Sequence, residues 1–157
     1  MGDEVRDGIV AGLIASVPQV LVTQAVERLL DLPAEKANIG PRFVQRLDQH
    51  LETDLSPTGH WVVAGLFHFG YAALWGALYG LLQRQRPTPP HVAGPAMAGV
   101  IYAAAFSRIG AATQAGAEPP PDRRPKRELA LHWTPALTFS MLTAYGFDWL
   151  NRRRSTR

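Results

Sequence analysis

The 157-residue chain contains no cysteine, which excludes disulfides, thiolate metal ligands and cysteine nucleophiles. Charge is missing in a more informative way. Four stretches, Gly8 to Val26, Leu55 to Gln83, Pro87 to Ser107 and Leu129 to Phe147, hold no Asp, Glu, Lys or Arg. A helix of about 20 uncharged residues matches the roughly 30 Å hydrocarbon core of a bilayer. Also absent are a nucleophile elbow, a P-loop and a G-x-G-x-x-G phosphate cradle. Catalysis is therefore not expected, and the chain is read as a non-enzyme.

The charges that are present sit in both tails, in three connecting segments and at one intramembrane position, Arg108. This is the pattern hydrocarbon imposes by penalising charge at depth. A mean hydropathy of −0.06 is low for such a protein. Gly and Ala replace Leu and Ile in the spans, and Pro-rich and Arg-rich loops lower the average; a soluble helical bundle is the competing reading. The first apolar run is long for a signal peptide and follows the acidic segment Met1 to Asp7, so it is read as a retained helix. The net charge of +3 comes from cations flanking apolar spans. Anionic lipid headgroups suit them better than nucleic acid does.

The fold expected is all-α, a single integral membrane domain over residues 1–157. Four transmembrane helices, about 8–29, 57–83, 92–115 and 128–150, form an antiparallel bundle. Pro18 should kink the first unless a neighbour satisfies the freed carbonyl. In the first loop Phe43, Leu47 and Leu51 recur every four residues among Arg42, Arg46, Asp48 and Glu52. That spacing predicts a short amphipathic helix at about 41–54, lying on the membrane surface or capping the bundle. Pro57 suits a first helical turn, and the link Pro87 to Pro90 predicts a tight antiparallel return. The compact Arg84/Arg86 turn and Arg152 to Arg154 favour cytoplasmic termini.

Span two repeats Ala72, Gly76 and Gly80 at four-residue spacing, and span three offers Ala103, Ser107, Ala111 and Ala115. Small-xxx-small rows let helix backbones approach closely, within the bundle or against another subunit. A second face of span two carries His60, Phe67, His68, Tyr71, Trp75 and Tyr79. Antiparallel threading brings Glu27, His60, Arg108, Glu128 and His132 to one side of the membrane. These five form the candidate intramembrane polar cluster, with Glu27 the expected partner of Arg108. Imidazole and carboxylate at His60, Glu128 and His132 suit zinc, and His68 with His132 could ligate a haem. No H-x-x-x-H or E-x-x-H pair supports a metal site, so neither metal nor cofactor is expected.

The words His68-Phe69-Gly70-Tyr71 and Gly76-Ala77-Leu78-Tyr79-Gly80 are followed by a Pro-containing turn and a Gly-rich third span. With Leu32, Pro33, Gly40 and Pro41 in the first loop and a Pro-rich third loop leading into Glu128 and His132, this resembles the YagU-like group of small bacterial inner-membrane proteins. The chain departs from that pattern where span four reads His132, Trp133, Thr134, Pro135. The resemblance implies a four-helix protein of the cytoplasmic membrane, an association with acid stress, and no catalytic residues.

The function expected is that of an accessory or scaffolding subunit docking to a larger membrane protein complex in the bacterial inner membrane. Its partners are then the lipid bilayer and other membrane subunits, not nucleic acid. The alternative is a small transporter or proton-responsive acid-stress protein, with Glu27, His60, Arg108 and His132 lining a hydrated vestibule.

Overall fold

A computed structural model describes residues 2–31, 39–53 and 55–156. Leu32, Pro33 and Asp54, which fall within the first loop and its expected helix, lie outside the described residues. The described chain is all-helical: α1 (Asp3–Leu29), α2 (Ile39–Leu51), α3 (Pro57–Gln85), α4 (Pro90–Phe106), the single turn α5 (Ala111–Gln114), a 3-10 turn at Pro121–Arg123, and α6 (Lys126–Ser155). α1 stays one helix through Pro18. At the start of α3, Pro57 fills the first turn, where its missing N–H would have no partner. The Ser56 hydroxyl accepts from Gly59 N at 3.1 Å.

Among the described residues three runs are long and apolar enough to cross a membrane: Asp3–Leu29, Pro57–Gln85 and Pro90–Gln114. Four were expected, and the fourth stretch, 128–150, falls short of that measure. The stretch 128–150 lies in α6, which runs antiparallel along the whole of α1 and also packs on α4. Ala136, Ser140, Thr143 and Ala144 are buried against its neighbours, so its apolar content falls below that of the outer helices. A correction concerns span three, whose α-helix stops at Phe106, turns through Ser107 to Gly110, and resumes only as α5. A Cβ at Gly110 would lie 2.6 Å from the Ala105 carbonyl, so that turn is as tight as a backbone without a side chain permits.

The helices form a row rather than a square bundle. α1 packs between α3 and α6, α6 packs between α1 and α4, and α2 lies on α3. The proline link does reverse the chain, but α3 and α4 share no substantial interface because α1 and α6 stand between them. The row Ala72, Gly76 and Gly80 meets α1, not span three. Built Cβ atoms at Gly76 and Gly8 would lie 2.2 and 2.1 Å from the opposing carbonyl oxygens, and one at Gly80 would lie 2.1 Å from Glu4 O. Backbones this close need glycine on both sides. Gly8 and Gly12 supply the partner row.

Along the centre, Ala11, Ala15, Met97, Ile101, Phe139, Ala144 and Phe147 build one core, with Tyr79 of α3 edge-on to Phe147 at 5.4 Å. The outside is apolar. Ile14, Leu21, Trp61, Leu66, Leu82 and Val100 are each more than half exposed. Water-soluble monomers rarely show such continuous apolar exteriors, whereas in hydrocarbon they cost nothing. The three long apolar helices and this exterior are compatible with a membrane protein.

Electrostatics ties the two chain ends together. Asp3 and Glu4 occupy the first turn of α1 and Arg152 to Arg154 the last turn of α6, each sign suited to its helix dipole. Antiparallel packing then sets Arg154 against the three acids at the start of α1, Asp3, Glu4 and Asp7. It lies 3.0 Å from Asp7, 3.5 Å from Asp3 and 3.7 Å from Glu4. Asp7 is buried, so this pairing satisfies a carboxylate that apolar surroundings would otherwise penalise.

Candidate functional site

At the opposite end of the row the loop after α4 folds inward and delivers a glutamate into the protein. Gly116, with φ +68°, closes α5 in the left-handed conformation that favours glycine. The N–H groups of Ala117 and Glu118 then both donate to Ala112 O, at 2.9 and 3.0 Å. Pro119 and Pro120 lead the chain on into the 3-10 turn at Pro121–Arg123. Glu118 is thereby held with its side chain only 4% exposed.

Three segments converge on it. Arg42 of α2 donates to Ala117 O at 3.0 Å and pairs with the Glu118 carboxylate. Arg124, its side chain wholly buried, donates to Pro119 O at 2.7 Å and to Thr113 Oγ1 at 3.0 Å, and approaches Glu118 at 3.8 Å. It also lies over the Phe106 ring, 5.5 Å from the centroid. His132 of α6 stacks against Phe106 at 4.4 Å and places Nε2 3.5 Å from Glu118. Its Nδ1 lies 2.7 Å from Glu128 O. A carbonyl only accepts, so Nδ1 donates there and Nε2 alone faces the carboxylate.

Glu128 lines the same small cavity with Arg42, Glu118, Pro119, Leu131 and His132. Two arginines thus stand with two glutamates, and the buried charge is balanced. Burial would push the Glu118 carboxyl up. Hydrogen bonding and charge from His132 and Arg42 outweigh that and hold it below the usual 4.5. The cavity measures about 30 Å³, room for water rather than for an organic substrate. Chemically the cluster can hold α2, the loop and α6 in register and store a proton. Among the described residues no group of three or more His, Asp or Glu could hold a metal ion.

Of the five residues expected to cluster, the fold brings two together, Glu128 and His132. Arg108 does not join them. It falls in the turn after α4, 76% exposed, and pairs with Asp122 at 3.5 Å. Glu27 is half-buried on α1 and is not that partner. His60 sits apart, with Nε2 3.0 Å from Asp48 in the α2–α3 corner. Asp48 also accepts from the Thr53 hydroxyl and from Leu55 N. The Thr53 bond foremost, partly opposed by desolvation and aided by Leu55 N and His60, holds its carboxyl below the usual range.

Comparison with family models, curated proteins and solved structures finds no match. The roles of these residues rest on geometry alone. Arg42, Glu118 and Arg124 are the members that sequence reasoning missed. Arg42 sat on the polar face of an amphipathic helix and the other two in a Pro-rich loop, both ordinary places for solvated charge. The available signal was Gly116 ahead of an acid and a proline run.

The aromatic face of span two is partly covered as well. Phe43 of α2 stacks on Phe67 at 5.0 Å, Phe67 on Tyr71 at 5.9 Å, and Tyr71 meets Trp75 edge-on at 5.9 Å. α2 therefore caps α3, with Val44 buried beneath it.

Proposed function

We propose that this chain is a non-enzymatic, multi-pass protein of the bacterial cytoplasmic membrane, an accessory subunit that docks laterally on a larger membrane assembly. α6 completes a fourth crossing in this reading, and both termini face the cytoplasm. One observation carries it. Gly65 and Gly70 on α3, and Gly99 on α4, meet nothing within 4 Å, and α3 and α4 are the outer members of the row. Glycine weakens a helix by about 0.5–1 kcal/mol relative to alanine. Where α1 meets α3, glycines repay that by close backbone contact. The three outer glycines have no such return inside this chain, and a partner helix would supply it.

Purification in mild detergent followed by native mass spectrometry tests the reading, with Gly65→Ile and Gly99→Ile beside the natural sequence. A partner subunit at fixed stoichiometry, lost in the variants, is the expected result. A monomer migrating alone in every sample refutes it.

A second reading, proton response, is favoured by Glu118 and His132. A protonated His132 pairs with Glu118, whereas a neutral one leaves the ring nitrogen facing a carboxylate. Liposome flux measured across pH for the natural sequence and His132→Ala tests it; identical profiles would remove His132 from any such role.

A further inference from the structure

A groove of about 820 Å³ opens between α1 and α6 at the end of the row that carries the termini. Its floor is small or apolar: Ala11, Ala15 and Gly146, with Ile14 and Leu142 as walls and Pro18 closing the inner end. Gly146 is the reason it exists. A Cβ there would reach ordinary contact with Ala11 at 3.5 Å, so any longer side chain would occupy the space.

The dimensions suit one leaflet. From Leu142 to Arg152 the groove follows α6 for about 15 Å, half the thickness of the hydrocarbon core. Its mouth is cationic. Arg152 lies there 78% exposed, 2.9 Å from Asp148, and Arg153 stacks over Trp149 at 3.8 Å from the ring centroid. Asp148 offsets one arginine, leaving a positive charge over an indole, the arrangement found where a side chain meets the headgroup layer. Arg154 is engaged with the acids of α1 and takes no part.

We propose that this groove binds an anionic phospholipid, one acyl chain along Ala11, Ala15 and Gly146 and the phosphate against Arg152 and Arg153. Charge complementarity selects this occupant over a partner helix. An apolar transmembrane helix would gain nothing from arginines at one end of a slot only half as long as itself, whereas a lipid combines both features in one molecule. The groove is lined by α1 and α6 alone, so the proposal needs the membrane setting but no partner subunit.

Native mass spectrometry of the delipidated full-length protein, incubated with equimolar phosphatidylglycerol and phosphatidylcholine of matched chains, tests it. The natural sequence should retain phosphatidylglycerol several-fold over phosphatidylcholine, and Arg152→Gln with Arg153→Gln should bring that ratio to near one. Ile14→Trp, at a rim position 66% exposed and so tolerant of bulk, should fill the slot and remove most retention of both lipids. Equal retention of the two lipids by the natural sequence, or undiminished retention by Ile14→Trp, overturns the proposal. Partner loss at Gly65 or Gly99 is read separately and does not bear on it.

Discussion

Gly76→Ala isolates the contact on which the row of helices depends. The added Cβ would lie 2.2 Å from Gly8 O and 2.9 Å from its carbonyl carbon. Both obstacles are backbone of a continuous helix, so no rotamer relieves them and α1 must move outward by about 1 Å to regain ordinary separation. A gap of that size forfeits a quarter to a half of the attraction at each neighbouring contact. Gly8, Gly12, Ala72 and Gly80 share the displacement. Overpacking in a tight interior costs about 1–3 kcal/mol, and because the strain is shared along the interface the loss should fall near 3 kcal/mol. Gly99→Ala is the control: nothing lies within 4 Å of it, so the helix gains about 0.5–1 kcal/mol. Titration of micellar protein with dodecyl sulfate, followed by far-UV circular dichroism and by fluorescence including Trp75, reads both. Should Gly76→Ala unfold within about 0.5 kcal/mol of the natural sequence, the backbone contact is wrong.

Glu118→Gln leaves Arg124 buried without its counter-charge, and a loss of about 3 kcal/mol is expected. Adding Arg124→Met should cost less than the sum of the two single changes, and strict additivity in the same unfolding assay would deny their coupling. Because the folded carboxyl titrates below 4.5, its contribution is complete above that pH and disappears as pH falls through the lowered value. The stability gap between the natural sequence and Glu118→Gln should therefore not shrink between pH 7 and 5 and should close only below about 4.5. A gap closing nearer neutrality would contradict the assignment. Asp7→Asn withdraws the nearest acid from Arg154 while Asp3 and Glu4 remain, so the stability loss should be about 1 kcal/mol. Hydrogen exchange at Asn151 to Arg154 should accelerate, and unchanged exchange there would mean the pairing does not fasten the helix end.

How much of this was legible follows from what each signal measures. Charge-free length found α1 and α3 directly, because each keeps a broad apolar face exposed, Ile14, Val17 and Leu21 on α1 and Trp61, Leu66 and Leu82 on α3. It overstated α6, where burial between α1 and α4 frees Ser140 and Thr143 from any need to be apolar. The period of Phe43, Leu47 and Leu51 located α2 within a few residues, since an amphipathic helix shows its partnered face in its spacing. Small-residue spacing marked Ala72, Gly76 and Gly80 as a contact row but was silent on the partner. Gly8 and Gly12 are interleaved with other small residues and stand out only once α1 lies against α3. The partner of Arg108 was missed because a continuous helix was carried through Ser107 to Gly110, where the glycine signals a turn. Glu118 and Arg124 were invisible because their burial depends on a loop folded by their own hydrogen bonds.

The order of helices also has a consequence for synthesis. α1 and α3 can associate as soon as both have left the ribosome, but α4 finds its main neighbour only in α6, and the central seam joins the first and last helices of the chain. At 5–20 residues per second, α4 waits on the order of seconds with its inner face uncovered. A nascent chain interrupted before α6 would be half assembled, with an orphaned α4 open to proteolysis or mispairing.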